Sequence, residues 1–255
     1  MRRDFAITQS YKVAFYLDIL LGVVDLCIYF FISETFPQAT ADLGGAPSYF
    51  AFVAVGLAVT IVIGATSTQL AQRVREEQLT GTLEALTVQP LTATELSLGM
   101  AGLPFFFAMV RVAVYLIVAG TLLGVSFAGA DWVGFTVVLA TSAAALSGIG
   151  VALGGLVLVI KRGAVLAGLF TFALSLLGGA FFPVSVLPGW LQAIGEVVPT
   201  KFAFDGLRAA LYQGGGWEGD AVALAAIALV SLPVAMWLFG AALGYGRRSG
   251  TLVQY

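Results

Sequence analysis

The chain has 255 residues, of which 60% are hydrophobic and only 10% are charged, and its mean hydropathy is +0.99. A soluble domain of this size carries about 25% charged residues, so the composition excludes an ordinary soluble fold. The formal net charge is −2, which gives no basic footprint for a nucleic-acid partner. There is no histidine and a single cysteine, Cys27, so we predict no metal site and no intrachain disulfide.

Six apolar runs are each long enough to cross a bilayer, which requires about 20 mostly apolar residues. The backbone must be hydrogen-bonded internally in lipid, and these runs lack the period-two alternation of a barrel strand, so we predict helices. The sequence thus predicts an all-α membrane protein with a single transmembrane domain over residues 1–255. The six predicted transmembrane helices cover residues 14–34, 49–70, 97–124, 132–159, 163–182 and 221–245.

The basic residues are distributed unevenly across this predicted topology. Nine of the twelve lysines and arginines fall on one side of six spans, and the positive-inside rule makes that side cytoplasmic. We therefore expect both termini to be cytoplasmic. The nine residues are Arg2, Arg3, Lys12, Arg73, Arg75, Lys161, Arg162, Arg247 and Arg248.

The first and third predicted spans contain ionisable residues. Asp18 and Asp25 lie seven apart on the first span and share a face, and Arg111 lies within the third. A lone charge at the bilayer centre costs at least about 2.5–3.5 kcal/mol, so each charge should find a partner or water. At about 1.5 Å per residue, Asp25 and Arg111 lie roughly 20 and 24 Å from the cytoplasmic edge, so we predict that they form an ion pair. Three roles stay open: a static pair, a lining of the substrate path, or snorkelling to water.

Residues 73–100 form the only long charged and amphipathic segment between apolar runs. Leu79, Leu83 and Leu86 recur at helical spacing and predict a short helix with one apolar stripe. Such a helix on the cytoplasmic side needs a partner for its apolar face. Thr92 and Glu95 then form a capping box, which predicts the start of the third-span helix.

Residues 183–219 are too many for a plain connection in a compact bundle, and they include three prolines. The sequence predicts two short amphipathic segments, one around Trp190–Val197 and one around Phe202–Leu211, and neither is long enough to cross a bilayer. We predict that residues 183–216 form a partly re-entrant outer loop that gates release. Its aromatic side chains at headgroup level would be Trp190, Phe202, Phe204 and Tyr212.

Two motifs resemble one known family. The stretch Glu77-x-x-x-Gly81-Thr82-Leu83-Glu84-x-Leu86, followed by Pro90, Glu95 and Gly99, resembles the cytoplasmic loop of type-2 ATP-binding-cassette exporter permeases. The stretch Phe182-Pro183, Leu187-Pro188, Trp190-Leu191, Pro199 and Asp205-Gly206-Leu207-Arg208 resembles the outer loop of the same family. Six spans with both ends inside match as well, so the resemblance covers nearly the whole chain.

The resemblance implies a permease that dimerises and pairs with two copies of a cytoplasmic ATP-binding subunit. That partner would bind ATP and Mg²⁺, so no cofactor is expected in this chain, and the expected location is the plasma (bacterial inner) membrane, among lipid. The implied ATPase-coupling helix comprises Glu76, Glu77, Leu79, Gly81, Thr82, Leu83, Glu84, Leu86 and Pro90. The implied outer gate comprises Pro183, Pro188, Trp190, Pro199, Asp205 and Arg208.

The sequence agrees independently that the energy source is elsewhere. A phosphate-binding loop requires a lysine directly after a glycine, whereas the three lysines here follow Tyr11, Ile160 and Thr200. We therefore expect a non-enzymatic transmembrane subunit that exports an amphiphilic drug, lipid or lipid-linked glycan.

One alternative is a secondary transporter or channel without an ATPase, although no internal repeat supports it. Another is a membrane enzyme with a lipid phosphotransferase motif, but Ala210 stands where that motif requires arginine. Whether the permease pairs with itself or with a related chain stays open.

Overall fold

A computed structural model describes residues 12–35, 43–68, 72, 75–76, 93–160 and 163–249, and every regular element in these ranges is helical. In these ranges there are five apolar helices, then two short helices in one connection, and then a long last helix. In chain order the α-helices are α1 (Lys12–Thr35), α2 (Tyr49–Ile63), α3 (Ala93–Thr121), α4 (Trp132–Val159), α5 (Gly163–Leu177), α6 (Gly189–Gly195), α7 (Pro199–Arg208) and α8 (Glu218–Ser249). Two π-helical turns, Gly64–Thr68 and Ala209–Gln213, continue α2 and α7, and a 3₁₀ turn covers Val184–Val186.

Within the described residues, four stretches are long and apolar enough to cross a membrane: Tyr16–Thr35, Tyr49–Ser67, Trp132–Val157 and Glu218–Tyr245. Two shorter apolar stretches, Phe105–Thr121 and Val165–Leu177, fall within the predicted third and fifth spans. The all-helical, multi-pass character of the prediction is therefore confirmed, and the count of six crossings stays a prediction.

The fifth helix is shorter than predicted. Helix α5 ends at Leu177 rather than at residue 182, because Gly179 adopts a φ of +91°, a left-handed conformation that terminates helices. Fifteen residues rise only about 22 Å, less than the roughly 30 Å of a bilayer core. The residues after α5 are thus free to turn back into the bundle.

Side-chain caps fix the start of two apolar helices. The Ser48 hydroxyl accepts a hydrogen bond from the Ala51 amide at 3.1 Å and starts α2. The Asp131 carboxylate accepts bonds from the Val133 and Gly134 amides at 3.0 and 2.9 Å and starts α4. Helix α3 begins at Ala93, next to the predicted capping residue Thr92.

Helix α2 lies at the centre of the bundle, whereas α1 lies at its edge. In the span of α2, 78% of the residues are buried, against 11% in the span of α1. Glycines permit the closest approaches to α2: a Cβ at Gly150 of α4 would clash with the Thr66 carbonyl, and a Cβ at Gly56 would clash with the Ala180 carbonyl. The connection after α5 therefore packs directly on α2.

The connections α1–α2, α3–α4 and α5–α8 gather at one end of the bundle, called here the loop end. The side-chain amide of Gln213 donates to the Gly44 carbonyl at 3.0 Å, and the backbone N–H of Asp131 donates to the Ala210 carbonyl at 2.8 Å. Helix α7 lies inside this end, packed against α2, α4 and α8.

Candidate functional site: the buried helix α7 and its cavity

Helix α7 is seated against the end of α5. Pro199 occupies its first turn, where a missing N–H costs nothing. The buried Thr200 hydroxyl donates to the Leu174 carbonyl at 2.6 Å. A side chain on Gly178 would clash with Thr200, so only glycine allows this approach. The Thr200 side chain thus fixes the start of α7 against the end of α5.

The helix is amphipathic, but its apolar side faces protein. Ala203, Phe204 and Leu207 are buried in the core shared by α2, α4 and α8. Phe204 has no exposed surface, so its predicted place at headgroup level is wrong. A helical stripe shows that one face is apolar but cannot show whether lipid or protein covers it. Trp190 on α6, by contrast, is 68% exposed.

Arg208 is the most deeply buried charged side chain among the described residues, with 1% of its surface exposed. Its guanidinium donates to the Gly179 carbonyl at 2.7 Å and to the Phe52 carbonyl at 3.2 and 3.4 Å. The Phe52 ring stacks on the guanidinium, with its centroid 3.5 Å from Cζ. Burial lowers the pKa of Arg208 to about 10, and the Asp205 carboxylate, 3.7 Å away, opposes this shift. Arg208 therefore stays charged at neutral pH and ties α7 to α2 and to the connection after α5.

Lys201 is the partly buried counterpart of Arg208 on the same helix. Its ammonium lies 3.0 Å from the Glu196 carboxylate and 3.1 Å from the Asp205 carboxylate. Burial alone lowers the pKa of Lys201, but the bonds to these carboxylates outweigh it and hold the pKa above its usual value. Both carboxylates are well exposed, so this network contributes little to stability.

The polar side of α7 borders a cavity of about 390 Å³, called here the α7 cavity. Asp220, at the start of α8, also lines this cavity and packs over Gly206, where an added Cβ would come within 2.9 Å of the Asp220 Cβ. Glycine at this position lets α8 approach α7 closely. The charged residues that line the cavity are Glu196, Lys201, Asp205, Arg208 and Asp220.

The π-helical turn after α7 is held by a partly buried tyrosine. The Tyr212 hydroxyl donates to the Ala51 carbonyl of α2 at 2.8 Å, and its ring stacks on Phe127 with centroids 6.0 Å apart. Burial raises the pKa of Tyr212 well above its usual value, so the hydroxyl remains a donor. Gly214, with φ of +67°, then ends the turn.

Asp131 joins the same turn to α4 and α8. Its backbone amide bonds to Ala210, and its carboxylate accepts a bond from the Trp217 indole at 2.9 Å. The hydrogen bond from the Gly134 backbone N–H is the main cause that lowers the pKa of Asp131 below its usual value, and the bond from the Trp217 indole is the next. A side chain on Gly134 would clash with the indole ring. One carboxylate thus caps α4 and fixes the approach to α8.

The predicted outer-gate residues do not form one cluster. Asp205 and Arg208 are close, and both line the α7 cavity together with Pro183. Pro199 opens α7, whereas Pro188 precedes α6 next to the exposed Trp190. The site is therefore centred on α7, with α6 outside it.

The predicted ion pair between Asp25 and Arg111 is wrong. Arg111 pairs instead with Asp18, with nitrogen and oxygen 2.5 Å apart. Asp25 is exposed and forms no hydrogen bond or ion pair with a residue that the structure describes.

The cause is the register between α1 and α3. Asp18 meets the residue 93 positions later, and one turn further along, Gly22 meets Tyr115 with the same offset. A side chain on Gly22 would clash with the tyrosine hydroxyl, so the glycine allows α1 and α3 to pack closely in this register. The prediction compared the depths of Asp25 and Arg111 along their own helices and took no account of packing between the helices. It therefore placed Arg111 beside Asp25, two turns away from its observed partner.

The predicted coupling helix lies almost wholly outside the described residues. Glu76 is described and exposed. Outside the description are Glu77, Leu79, Gly81, Thr82, Leu83, Glu84, Leu86 and Pro90.

Sequence reasoning missed Asp18 as the ion-pair partner, as well as Asp131 and Asp220. Asp131 precedes an apolar run and has the N-cap signature that could have identified it. For Asp220 no sequence signal existed, because its importance comes from packing against α7.

The matched residues of the family comparison include α7 and most of its π-helical turn. A family profile described as ABC-2 type transporter matches residues 2–212, well over half of the chain. No curated protein matches the chain. The long apolar helices and this match together show that the chain belongs to the ABC-2 type transporter family and is a multi-pass membrane permease subunit of that type.

Proposed function

We propose that this permease is the transmembrane subunit of an ATP-driven exporter that moves an amphiphilic drug, lipid or lipid-linked glycan out of the cytoplasm. Membership of the ABC-2 type transporter family is the observation that carries the proposal. The apolar helical bundle supports it, because a largely apolar interior suits an amphiphile better than a free ion. The chain would sit in the plasma (bacterial inner) membrane.

The topology that we propose has six crossings with both termini cytoplasmic. The concentration of basic residues at the ends and at residues 73–75 and 161–162 supports this orientation. It puts the loop end, with α7, on the outer side. There α7 would gate release, since it is too short to cross and is held at the mouth of the bundle by Arg208 and Tyr212.

Two copies of a cytoplasmic ATP-binding subunit would supply the energy by binding ATP and Mg²⁺. We propose that they dock on the segment around Leu79, Leu83 and Leu86, whose apolar stripe needs a partner.

A second copy of the permease would complete the path along α1. Asp25 lies on the exposed surface of a helix of which little is buried. A carboxylate facing lipid costs at least about 2.5–3.5 kcal/mol, so this face is better placed against a water-lined path between two copies. Asp18 and Arg111 then hold α1 to α3 beside the path.

The docking proposal is tested by replacing Leu83 and Leu86 with glutamate and measuring co-purification with the ATP-binding subunit and export. We expect the double variant to insert and fold but to lose both. The matched control is Gln78→Glu with Ala85→Glu, which adds the same charge away from the stripe and should retain both.

Normal binding and export by the stripe variant would contradict the docking assignment. Transport by the purified permease alone, driven by an ion gradient in liposomes, would favour the secondary transporter instead.

A further inference from the structure

The α7 cavity has an unbalanced set of charges. Three carboxylates face two cations, and Arg208 is already occupied by the Phe52 and Gly179 carbonyls. Lys201 is shared between Glu196 and Asp205. Asp220 is therefore left without a hydrogen bond or ion pair to any residue that the structure describes.

Lys201 shows what kind of group this cavity accommodates. Its ammonium meets two carboxylates at 3.0 and 3.1 Å, ordinary distances for charge-assisted hydrogen bonds. Asp220 also lines the cavity and packs over Gly206, the residue next to Asp205. The cavity thus holds one built-in ammonium and offers a further carboxylate for a second.

The chemistry favours an organic cation over a metal ion. No three histidine, cysteine, aspartate or glutamate residues in the described part of the chain are grouped closely enough to hold a metal ion. A volume of about 390 Å³ lies in the range of small-molecule sites, and Pro183 and Val184 supply apolar wall for an alkyl chain.

We propose that the α7 cavity binds an alkylammonium group, with Asp220 as its main anionic contact. The ammonium group can belong to the headgroup of an aminophospholipid or to a free amine, since both present the same N–H donors. The site lies within one chain, so the proposal does not depend on export, on dimerisation or on the ATP-binding subunit.

The test uses the full-length permease purified in phosphatidylcholine nanodiscs, because the headgroup of this lipid has no N–H donor. Binding of radiolabelled 1,5-diaminopentane is measured by scintillation proximity, with unlabelled diamine and the neutral 1,5-pentanediol as competitors. We expect saturable binding that the diamine displaces and the diol does not. Absence of saturable binding, or equal displacement by the diol, would overturn the proposal.

Asp220→Asn keeps the shape of the side chain and removes its charge. We expect the diamine to bind about tenfold more weakly or worse, as for the loss of one charged hydrogen bond. Glu218→Gln is the matched control, because Glu218 lies in the same first turn of α8 but outside the cavity lining, and it should bind normally. Equal binding by the wild type and Asp220→Asn would also overturn the proposal.

A second variant keeps the proposal testable if Asp220→Asn folds poorly. Lys201→Met removes the built-in ammonium and frees Glu196 and Asp205, so the diamine should bind more tightly. Unchanged or weaker binding by folded Lys201→Met would count against the site.

Nanodiscs that contain phosphatidylethanolamine distinguish the two sources of the ammonium group. Reduced diamine binding in these discs would identify the lipid headgroup as the occupant, and unchanged binding would identify a free amine.

Discussion

Replacing Arg208 provides the sharpest test of how α7 is held. Arg208→Met keeps most of the side-chain volume but removes the guanidinium that bonds the Gly179 and Phe52 carbonyls. Arg208→Lys keeps the charge but replaces a planar fork, stacked on the Phe52 ring, with a point charge.

The loss of stability caused by each substitution depends on which buried groups it leaves without a hydrogen-bond partner. Phe52 lies within α2, where its carbonyl has a helical partner, whereas Gly179 lies after α5 and loses its charged donor. One buried unsatisfied carbonyl costs about 1–3 kcal/mol, and Arg208→Met avoids the cost of burying a charge. Arg208→Lys must still bury a charge with fewer bonds, so it should destabilise at least as much as Arg208→Met.

The assay is the thermal unfolding midpoint of the purified permease in detergent, followed by size-exclusion chromatography with fluorescence detection. Lys201→Met is the matched control on the same helix, and it should shift stability by less than about 1 kcal/mol because its carboxylate partners are exposed. Equal shifts for Arg208→Met and Lys201→Met, or a wild-type midpoint for Arg208→Lys, would refute the reasoning.

Two further predictions concern helix contacts. In a double-mutant cycle on thermal midpoints, Asp18→Asn and Arg111→Gln should couple by at least about 0.5 kcal/mol, whereas Asp25→Asn and Arg111→Gln should add independently; stronger coupling at Asp25 would contradict the observed pair. Gly150→Ala should destabilise the protein by about 1–3 kcal/mol through its clash with the backbone of the π-helical turn that continues α2. Gly168→Ala meets open space in α5 and should change the midpoint little. Equal effects of the two substitutions would contradict the close packing at Gly150.

The sequence predicts helix positions well where a local signal sets them. The predicted span 132–159 coincides with α4, because Asp131 caps its start and basic residues follow its end. Residues 163–182 were predicted as one span, since neither hydropathy nor spacing shows that Gly179 takes a left-handed conformation.

Contacts between helices were the part that could not be predicted. Arg208 was predicted as a residue of the outer gate, but its burial could not be predicted, because its partners are backbone carbonyls that carry no sequence signature. The partner of Arg111 is Asp18 rather than Asp25 for a similar reason, since the register between α1 and α3, where Gly22 packs against Tyr115, has no signature in the sequence of either helix.

The burial of Arg208 also constrains the order in which the protein can be assembled during insertion. Helix α7 carries Lys201, Asp205 and Arg208 within ten residues, and each charge opposes entry into lipid by about 2.5–3.5 kcal/mol at the bilayer centre. Both carbonyls that accept hydrogen bonds from Arg208 come earlier in the chain, on α2 and after α5. The position that Arg208 occupies therefore forms only when those two parts of the chain pack together. We therefore expect helix α7 to reach its position only after α2 and the connection after α5 have packed together, and Asp220 of α8 packs over it at Gly206.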